Sequence, residues 1–334
     1  MQLPRGRYLL AVSGGRDSMA LLHAFAEHRR PDLVAVATFD HGTGPSATAA
    51  CALVVECCGA IGVPVVSGVM ATGGWRTAGG GRLTLDVGGM AWGAGRTANS
   101  EQRTAKSFSS NAEARWRDSR WSFLRSVSTE HRATIVTAHT VDDQAETVAM
   151  RILRGASARG LAAMAAPARG SVRPLLGVRR RDVADYAATF EVPFVDDPSN
   201  TDPAFLRNRL RADLLRAADL VRPGFTDELV EIGRRASAWR RGLAEVVDML
   251  QPHQVGDALV VPASAFDDFD PALRAVVWPE LAGRVGIRMD RRGVVRAAAW
   301  SMTARAGQQI PLSGGALIER TARTFVVRPA GATG

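Results

Sequence analysis

Three short, unbroken apolar runs constrain this chain more than any other feature: Tyr8-Leu9-Leu10-Ala11-Val12, Leu33-Val34-Ala35-Val36-Ala37-Thr38-Phe39 and Ala133-Thr134-Ile135-Val136-Thr137-Ala138. Runs of this length read as strands buried within a sheet. Between the first two, Met19 to Phe25 carries apolar residues at helical spacing. Strand, helix, strand in that order implies parallel strands joined by a right-handed crossover. A shorter run, Val63-Pro64-Val65-Val66, supplies another strand. The expected fold class is α/β, built on a parallel sheet.

The first run passes directly into Ser13-Gly14-Gly15-Arg16-Asp17-Ser18. Two glycines let such a turn curl tightly and bring backbone N–H groups against an anion at the helix N-terminus. Ser13 and Ser18 add hydroxyl donors. The carboxylate of Asp17 would repel phosphate unless a divalent cation lay between them, so a nucleotide carried with magnesium fits. No lysine follows the glycines as in G-x-x-x-x-G-K-[ST], and the G-x-G-x-x-G spacing is absent. Two adjacent glycines alone would signify an ordinary turn; the six-residue pattern after a buried strand favours nucleotide binding. Ligands of such sheets lie over the C-terminal strand ends, which puts Asp40, closing the second run, beside this turn. Asp40 would then either cap its own turn or contact magnesium or ribose, making Asp17 and Asp40 the candidate metal ligands.

The third run ends in His139-Thr140-Val141-Asp142-Asp143-Gln144-Ala145-Glu146-Thr147. Thr140 and Asp143 have capping-box spacing, but capping accounts for one acid of the three. Asp142, Asp143 and Glu146 cluster at one helix N-terminus by their spacing. Burying them without a cation is costly, so a metal or a substrate amino group is the expected compensation. Inward packing falls to Ala145, Val148, Ala149, Ile152 and Leu153. Upstream, Asn111 to about Val127 reads as a helix on which Arg117 and Arg120 share a face, either solvated or facing phosphate.

At 334 residues the chain is long enough for one large domain or two smaller ones, and no run of about 18 apolar residues could span a membrane. The N-terminus lacks a signal-peptide core, and Cys51, Cys57 and Cys58 form neither a disulfide framework nor a C-x-x-C site. The expected location is cytoplasmic, with the cysteines as small core residues. Net charge is +9, from 42 Lys+Arg against 33 Asp+Glu, and Lys106 is the one lysine. Arginine at that density suits phosphate recognition, although base composition of the genome also produces it.

From Gly68 to about Ser110 the chain is rich in glycine, alanine, serine and threonine, without periodicity, and reads as a long disordered loop or lid. Helical patterns return over 182–190, 205–220 and 226–250, with arginine pairs at Arg234-Arg235 and Arg240-Arg241. A boundary near Arg216 divides a catalytic domain, 1–216, from a smaller, mostly helical region, 217–334. That region adds a strand at Ala258 to Val261 and a closing hairpin from Gln309 to Arg328.

The turn Ser13 to Ser18 resembles the pyrophosphate loop of the N-type ATP pyrophosphatases, the PP-loop enzymes with an adenine-nucleotide α-hydrolase-like fold. Together with Asp40-His41-Gly42, the 111–121 helix and A-H-T-V-D-D-Q-A-E-T running on to Arg154-Gly155 and Gly160-Leu161, it resembles the bacterial tRNA(Ile)-lysidine synthetases. Arg173-Pro174-Leu175-Leu176, Asp196-Asp197-Pro198-Ser199-Asn200 and Arg207-Asn208-Arg209-Leu210-Arg211 extend the likeness over roughly the first two thirds of the chain. At Thr43 and Gly44 the chain departs from it, since leucine and arginine are expected there. The resemblance implies that ATP adenylates the C2 oxygen of the wobble cytidine of a CAU-anticodon tRNA(Ile), after which L-lysine displaces AMP. It implies ATP at Ser13, Gly14, Gly15, Arg16, Asp17, Ser18 and His139, with Mg2+ as cofactor. Activation and lysine binding fall to Asp40, Asp142, Asp143 and Glu146. Phosphate or tRNA contacts fall to Arg117, Arg154, Arg207, Asn208 and Arg211, with a homodimer left open. Other adenylating enzymes on this scaffold, a tRNA thiolase among them, are the nearest rival; a nucleotide- or RNA-binding module without turnover is the other.

Overall fold

Along the first strand the side chains alternate between two buried layers, which is what a strand covered on both faces requires. Tyr8, Leu10 and Val12 join one core cluster, while Leu9 and Ala11 join another. The computed structural model describes residues 3–42, 44–71, 74–77, 110–166, 170–198 and 201–329, with the backbone alone for 110–116. It divides into two units, Met1–Arg235 and Ala236–Gly334. The division falls 19 residues beyond the expected Arg216, inside one long helix.

The first unit begins β1 (Tyr8–Ala11), α1 (Arg16–His28), β2 (Leu33–Asp40), α2 (Pro45–Ala60), β3 (Val65–Ala71) and β4 (Gly74–Thr77). It continues α3 (Ser110–His131), β5 (Thr134–Val136), α4 (Val141–Leu153), α5 (Ala158–Leu161), β6 (Ser171–Val172) and α6 (Arg180–Thr189). Last come α7 (Leu206–Arg209), a π turn (Leu210–Leu215), α8 (Arg216–Val221) and α9 (Phe225–Met249), which crosses into the second unit. The six strands have the order β4-β3-β2-β1-β5-β6, all parallel except the antiparallel edge strand β4. On one face α1, α2 and α6 pack through Leu22, Phe25, Val54, Cys57, Cys58 and Val183. On the other, α3 packs through Phe123, Leu124 and Val127. The chain leaves β1 toward β2 and returns on its other side at β5, so the switch point lies between the ends of β1 and β5.

Three expectations are corrected here. The glycine-rich stretch does not begin as a loop: β3 continues through Gly68 to Ala71 and pairs with β4. Its glycine belongs to a strand because a Cβ at Gly68 would lie 2.9 Å from the rings of Phe39 and Phe123. The remainder of that stretch, 78–109, lies outside the described residues, as do Thr43, Ser199 and Asn200. Second, Ile152 and Leu153 are 45% and 61% exposed, whereas Ala145, Val148 and Ala149 are buried against Leu210, Leu215 and Leu229. The last turn of α4 runs out past that cluster.

Third, in the second unit the expected strand at 258–261 and the closing hairpin are both present, but they join one larger sheet and the second arm of the hairpin is two strands. A five-stranded antiparallel sheet, β7-β8-β11-β10-β9, is formed by β7 (His253–Val255), β8 (Ala258–Pro262), β9 (Gln309–Pro311), β10 (Leu317–Arg320) and β11 (Thr324–Arg328). The expected hairpin arm 316–328 is split into two strands by a turn at Thr321, whose Oγ1 accepts the N–H of Thr324. Helices α10 (Pro271–Arg284) and α11 (Arg291–Thr303) complete the unit, packed around Trp278, Phe266, Phe325 and Ile318.

Candidate active site

The turn after β1 is organised by its serines. Ser18 Oγ donates to Gly15 O at 2.8 Å and accepts the N–H of Ser13 at 3.1 Å, and the two hydroxyls lie 3.2 Å apart. No side chain caps α1, so its first N–H groups point out of the turn, as an anion site requires. Asp17 sits in that first helical turn, with Arg16 Nε 3.4 Å and Arg180 Nε 3.6 Å away. Burial pushes the Asp17 carboxyl above its usual range, although Arg180 and Arg16 pull the other way.

Asp40, at the end of β2, behaves as a turn-former: it accepts the N–H of Gly42 at 2.8 Å and the hydroxyl of Thr48 at 2.9 Å. After β5, Thr140 and Asp143 make the full capping box of α4. Asp142 accepts the N–H of Arg180 at 2.7 Å and so caps α6 instead. Asp143 and Glu146 turn the other way, and their compensation comes from within the chain. Arg180 donates to Asp143 Oδ1 at 2.8 Å and to Glu146 Oε1 at 3.1 Å. Arg207 reaches the same two acids, Asp143 Oδ1 at 2.7 Å and Glu146 Oε2 at 2.6 Å. Arg211 closes on Glu146 with Nε 2.7 Å from Oε1. Burial pushes both carboxyls up, but the surrounding arginines outweigh it and hold them below the usual carboxylate range.

Arg180 is the residue that sequence reasoning missed. It joins the glycine turn to the acids of α4 across the β1–β5 switch point, with its side chain only 19% exposed. The signal was Arg179-Arg180-Arg181 opening a helix, a run easily taken for a solvated face. Of the other expected contacts, Asn208 donates to Asp202 O at 2.9 Å and so ties its own loop. Arg154 is exposed at the far end of α4, roughly 16 Å along the helix from Asp143. Arg117 is exposed on α3, the neighbour of the half-buried Arg120. Cys57 and Cys58 are buried core residues, and burial pushes their thiols up to about 11 and about 12, the reverse of reactive thiolates.

His139 lies at the end of β5 with Nδ1 2.8 Å from Thr137 Oγ1, and His41 rests edge-on against Phe39. Burial brings both imidazoles down to about 4, with Arg120 adding repulsion. Between their ordinary value of 6.5 and about 4, the unfolded chain takes up protons that the folded chain refuses. Stability should therefore fall as pH drops through that window and level off below it. His23, lowered by burial, acts in the same direction, while the raised Asp17 opposes. Urea midpoints measured from pH 7 to 4 should show this decline, and combining His41→Gln with His139→Gln should flatten it. The depressed Asp143 and Glu146 contribute at lower pH still, their stabilisation being lost as pH falls through their lowered values.

A parallel sheet whose central strand opens into an uncapped serine–glycine turn, facing acids across the switch point, defines the PP-loop class. The PP-loop domain family matches residues 2–76 and 94–218. The tRNA(Ile)-lysidine synthase of Parasynechococcus marenigrum is 31% identical over 264 residues, covering 75% of this chain and 68% of that protein. Those of a Bradyrhizobium species and Geobacter sulfurreducens are 35% and 34% identical, over 70% and 68% of this chain but 59% and 43% of their own lengths. The chain belongs to the tRNA(Ile)-lysidine synthase family, and its matched part spans between 43% and 68% of the length of these relatives. Among solved structures, the U34-tRNA thiolase NcsA from Methanococcus maripaludis, with its [4Fe-4S] cluster, is similar at a TM-score of 0.51 and 16% identity. That match covers 71% of this chain and 74% of the thiolase, and is a likeness of fold. Among the described residues, no helix is long and apolar enough to cross a membrane.

Proposed function

We propose that this chain joins L-lysine to C2 of the wobble cytidine in the CAU anticodon of tRNA(Ile). The observation that carries the reading is convergence: Asp17 of the glycine turn and Asp143 and Glu146 of α4 meet on one guanidinium, that of Arg180. A nucleotide-binding module without turnover would not need the two places brought together. In the proposed sequence the cytidine O2 attacks the α-phosphorus of ATP and pyrophosphate leaves. The amine of lysine then attacks C2, AMP departs with that oxygen, and the amine gives up a proton.

The turn Ser13 to Ser18 would hold the pyrophosphate part of ATP through N–H groups and hydroxyls. Asp17, partly exposed in the first turn of α1 beside the glycine turn, is placed to meet a magnesium ion carried on the phosphates. Among the described residues, no group of three or more His, Cys, Asp or Glu gathers as a cage, so phosphate oxygens and water would complete its shell. Among the described residues Asp40 accepts two hydrogen bonds, fewer than a carboxylate can take, and it is the candidate second carboxylate. Magnesium there would neutralise charge building on the leaving phosphates. His139, neutral at pH 7, can line the nucleotide site without adding charge. Asp143 and Glu146 would bind the ammonium of lysine until it loses its proton. The target carbonyl belongs to a nucleobase, so the anticodon loop must present it splayed from the stack.

The purified chain, given ATP, labelled lysine and a CAU-anticodon tRNA(Ile), should incorporate label and release AMP and pyrophosphate. Incorporation without tRNA, or into any tRNA regardless of anticodon, would refute the assignment.

A further inference from the structure

The two acids proposed to take the amine of lysine have no acceptor position left. An ionised carboxylate offers about four lone-pair sites. Glu146 Oε1 accepts from Arg180 and Arg211, and its Oε2 accepts from Arg207 and Arg211. Asp143 Oδ1 accepts from Arg180 and Arg207, and its Oδ2 accepts from the N–H and hydroxyl of Thr140. At Glu146 an ammonium group can bind only by replacing a guanidinium, and at Asp143 Oδ1 the same holds.

We infer that Arg207 and Arg211 are internal placeholders for the amine of lysine, and that a phosphate group of ATP or tRNA draws them off Asp143 and Glu146 before lysine can bind. The inference rests on the function proposed above. The three arginines differ in freedom. Arg180 is 19% exposed, and its own N–H is held by Asp142. Arg207 and Arg211 are 38% and 40% exposed and can turn to solvent or to an anion. They stand on α7 and the adjoining π turn, a helix distortion frequent at functional sites. Charge points the same way. Asp17, Asp143 and Glu146 already face four guanidiniums, those of Arg16, Arg180, Arg207 and Arg211. An ammonium arriving alone leaves an extra positive charge, and a polyphosphate alone leaves negative charge; arriving together they offset one another. Phosphate also matches the guanidinium fork at least as well as a carboxylate does.

The test is calorimetric titration of L-lysine into the full chain at matched ionic strength, alone, with inorganic tripolyphosphate, and with magnesium and a non-hydrolysable ATP analogue. Lysine should bind about 10-fold or more tightly in a phosphate-bearing state than alone. Combining Arg207→Gln with Arg211→Gln should give tight lysine binding without phosphate and abolish the dependence. Equal lysine affinity in all three states, no lysine binding in any of them, or weaker binding by the folded double variant overturns the exchange. If circular dichroism shows the variant unfolded, the wild-type titration decides alone. A chain that ligates lysine to tRNA yet binds it indifferently to phosphate loses the placeholder inference and keeps the proposed function; absence of tRNA-dependent ligation removes the function itself.

Discussion

Replacing Glu146 by alanine is expected to cost about 3 kcal/mol of folding stability, the low end of the range for breaking a buried ion pair. The Glu146 side chain is 1% exposed and receives three guanidiniums. With it gone, Arg207 and Arg211 can turn to water, which is why the upper end is not reached. Arg180 cannot follow them; it stays with Asp143 and Asp17 around a void. Urea denaturation at constant m reads the loss directly. The internal comparison is Glu231→Ala. Glu231 also pairs with two arginines, Arg234 at 2.6 Å and Arg235 at 2.7 Å, but on an exposed helix face, so its midpoint should stay where it is. Equal effects at the two positions would show that the α4 cluster is a surface network like any other.

Gly14→Ala should cost a further-reaching 3 kcal/mol or so, strain and overpacking together. Gly14 has φ +81°, and a Cβ there would lie 2.5 Å from the main-chain oxygen of Ala50 in α2. Main chain cannot step aside as a flexible side chain would, so either α2 or the turn must move. The carbonyl of Gly14 also accepts the N–H of Val195 at 2.9 Å, tying a third segment to the same point. Both the urea midpoint and ATP binding should fall. Gly15→Ala provides the contrast: its φ is −78°, and the nearest atom to a Cβ would be Ser13 Oγ at 3.7 Å. That variant should fold as the parent does, and any loss it shows should appear in nucleotide binding alone. Gly42→Ala, at φ +67° with open space around it, should pay only about 1–2 kcal/mol of backbone strain.

Much of the fold was legible because its signals are local. Buried strands, the helix spacing after them and the capping box at Thr140 each depend on residues a few positions apart. Where composition stood in for pattern, the reading failed. Gly68 suggested loop, yet it lies in β3 because two aromatic rings press on it from elements elsewhere in the chain. The exposed Ile152 and Leu153 completed an amphipathic stripe that periodicity assigned to the core. Periodicity shows which face a residue shares, and only the neighbouring elements decide how far along the helix that face stays covered.

The site divides the same way. Ser13 to Ser18, Asp143 and Glu146 stood out in the amino-acid sequence, since glycine turns and acids at helix N-termini carry their chemistry in short spans. What neutralises those acids did not. Arg180, Arg207 and Arg211 lie 34, 61 and 65 residues from Glu146, and no local rule links them to it. An excess of arginine spread along a chain says that cations are plentiful, not where they go. The sequence by itself determined the strands, the anion-binding turn and the acids, because backbone propensity and turn chemistry act over a few residues. Only the tertiary structure decided that one of two adjacent glycines is sterically obligatory and that the acids meet arginines, because contact and charge pairing depend on position in space.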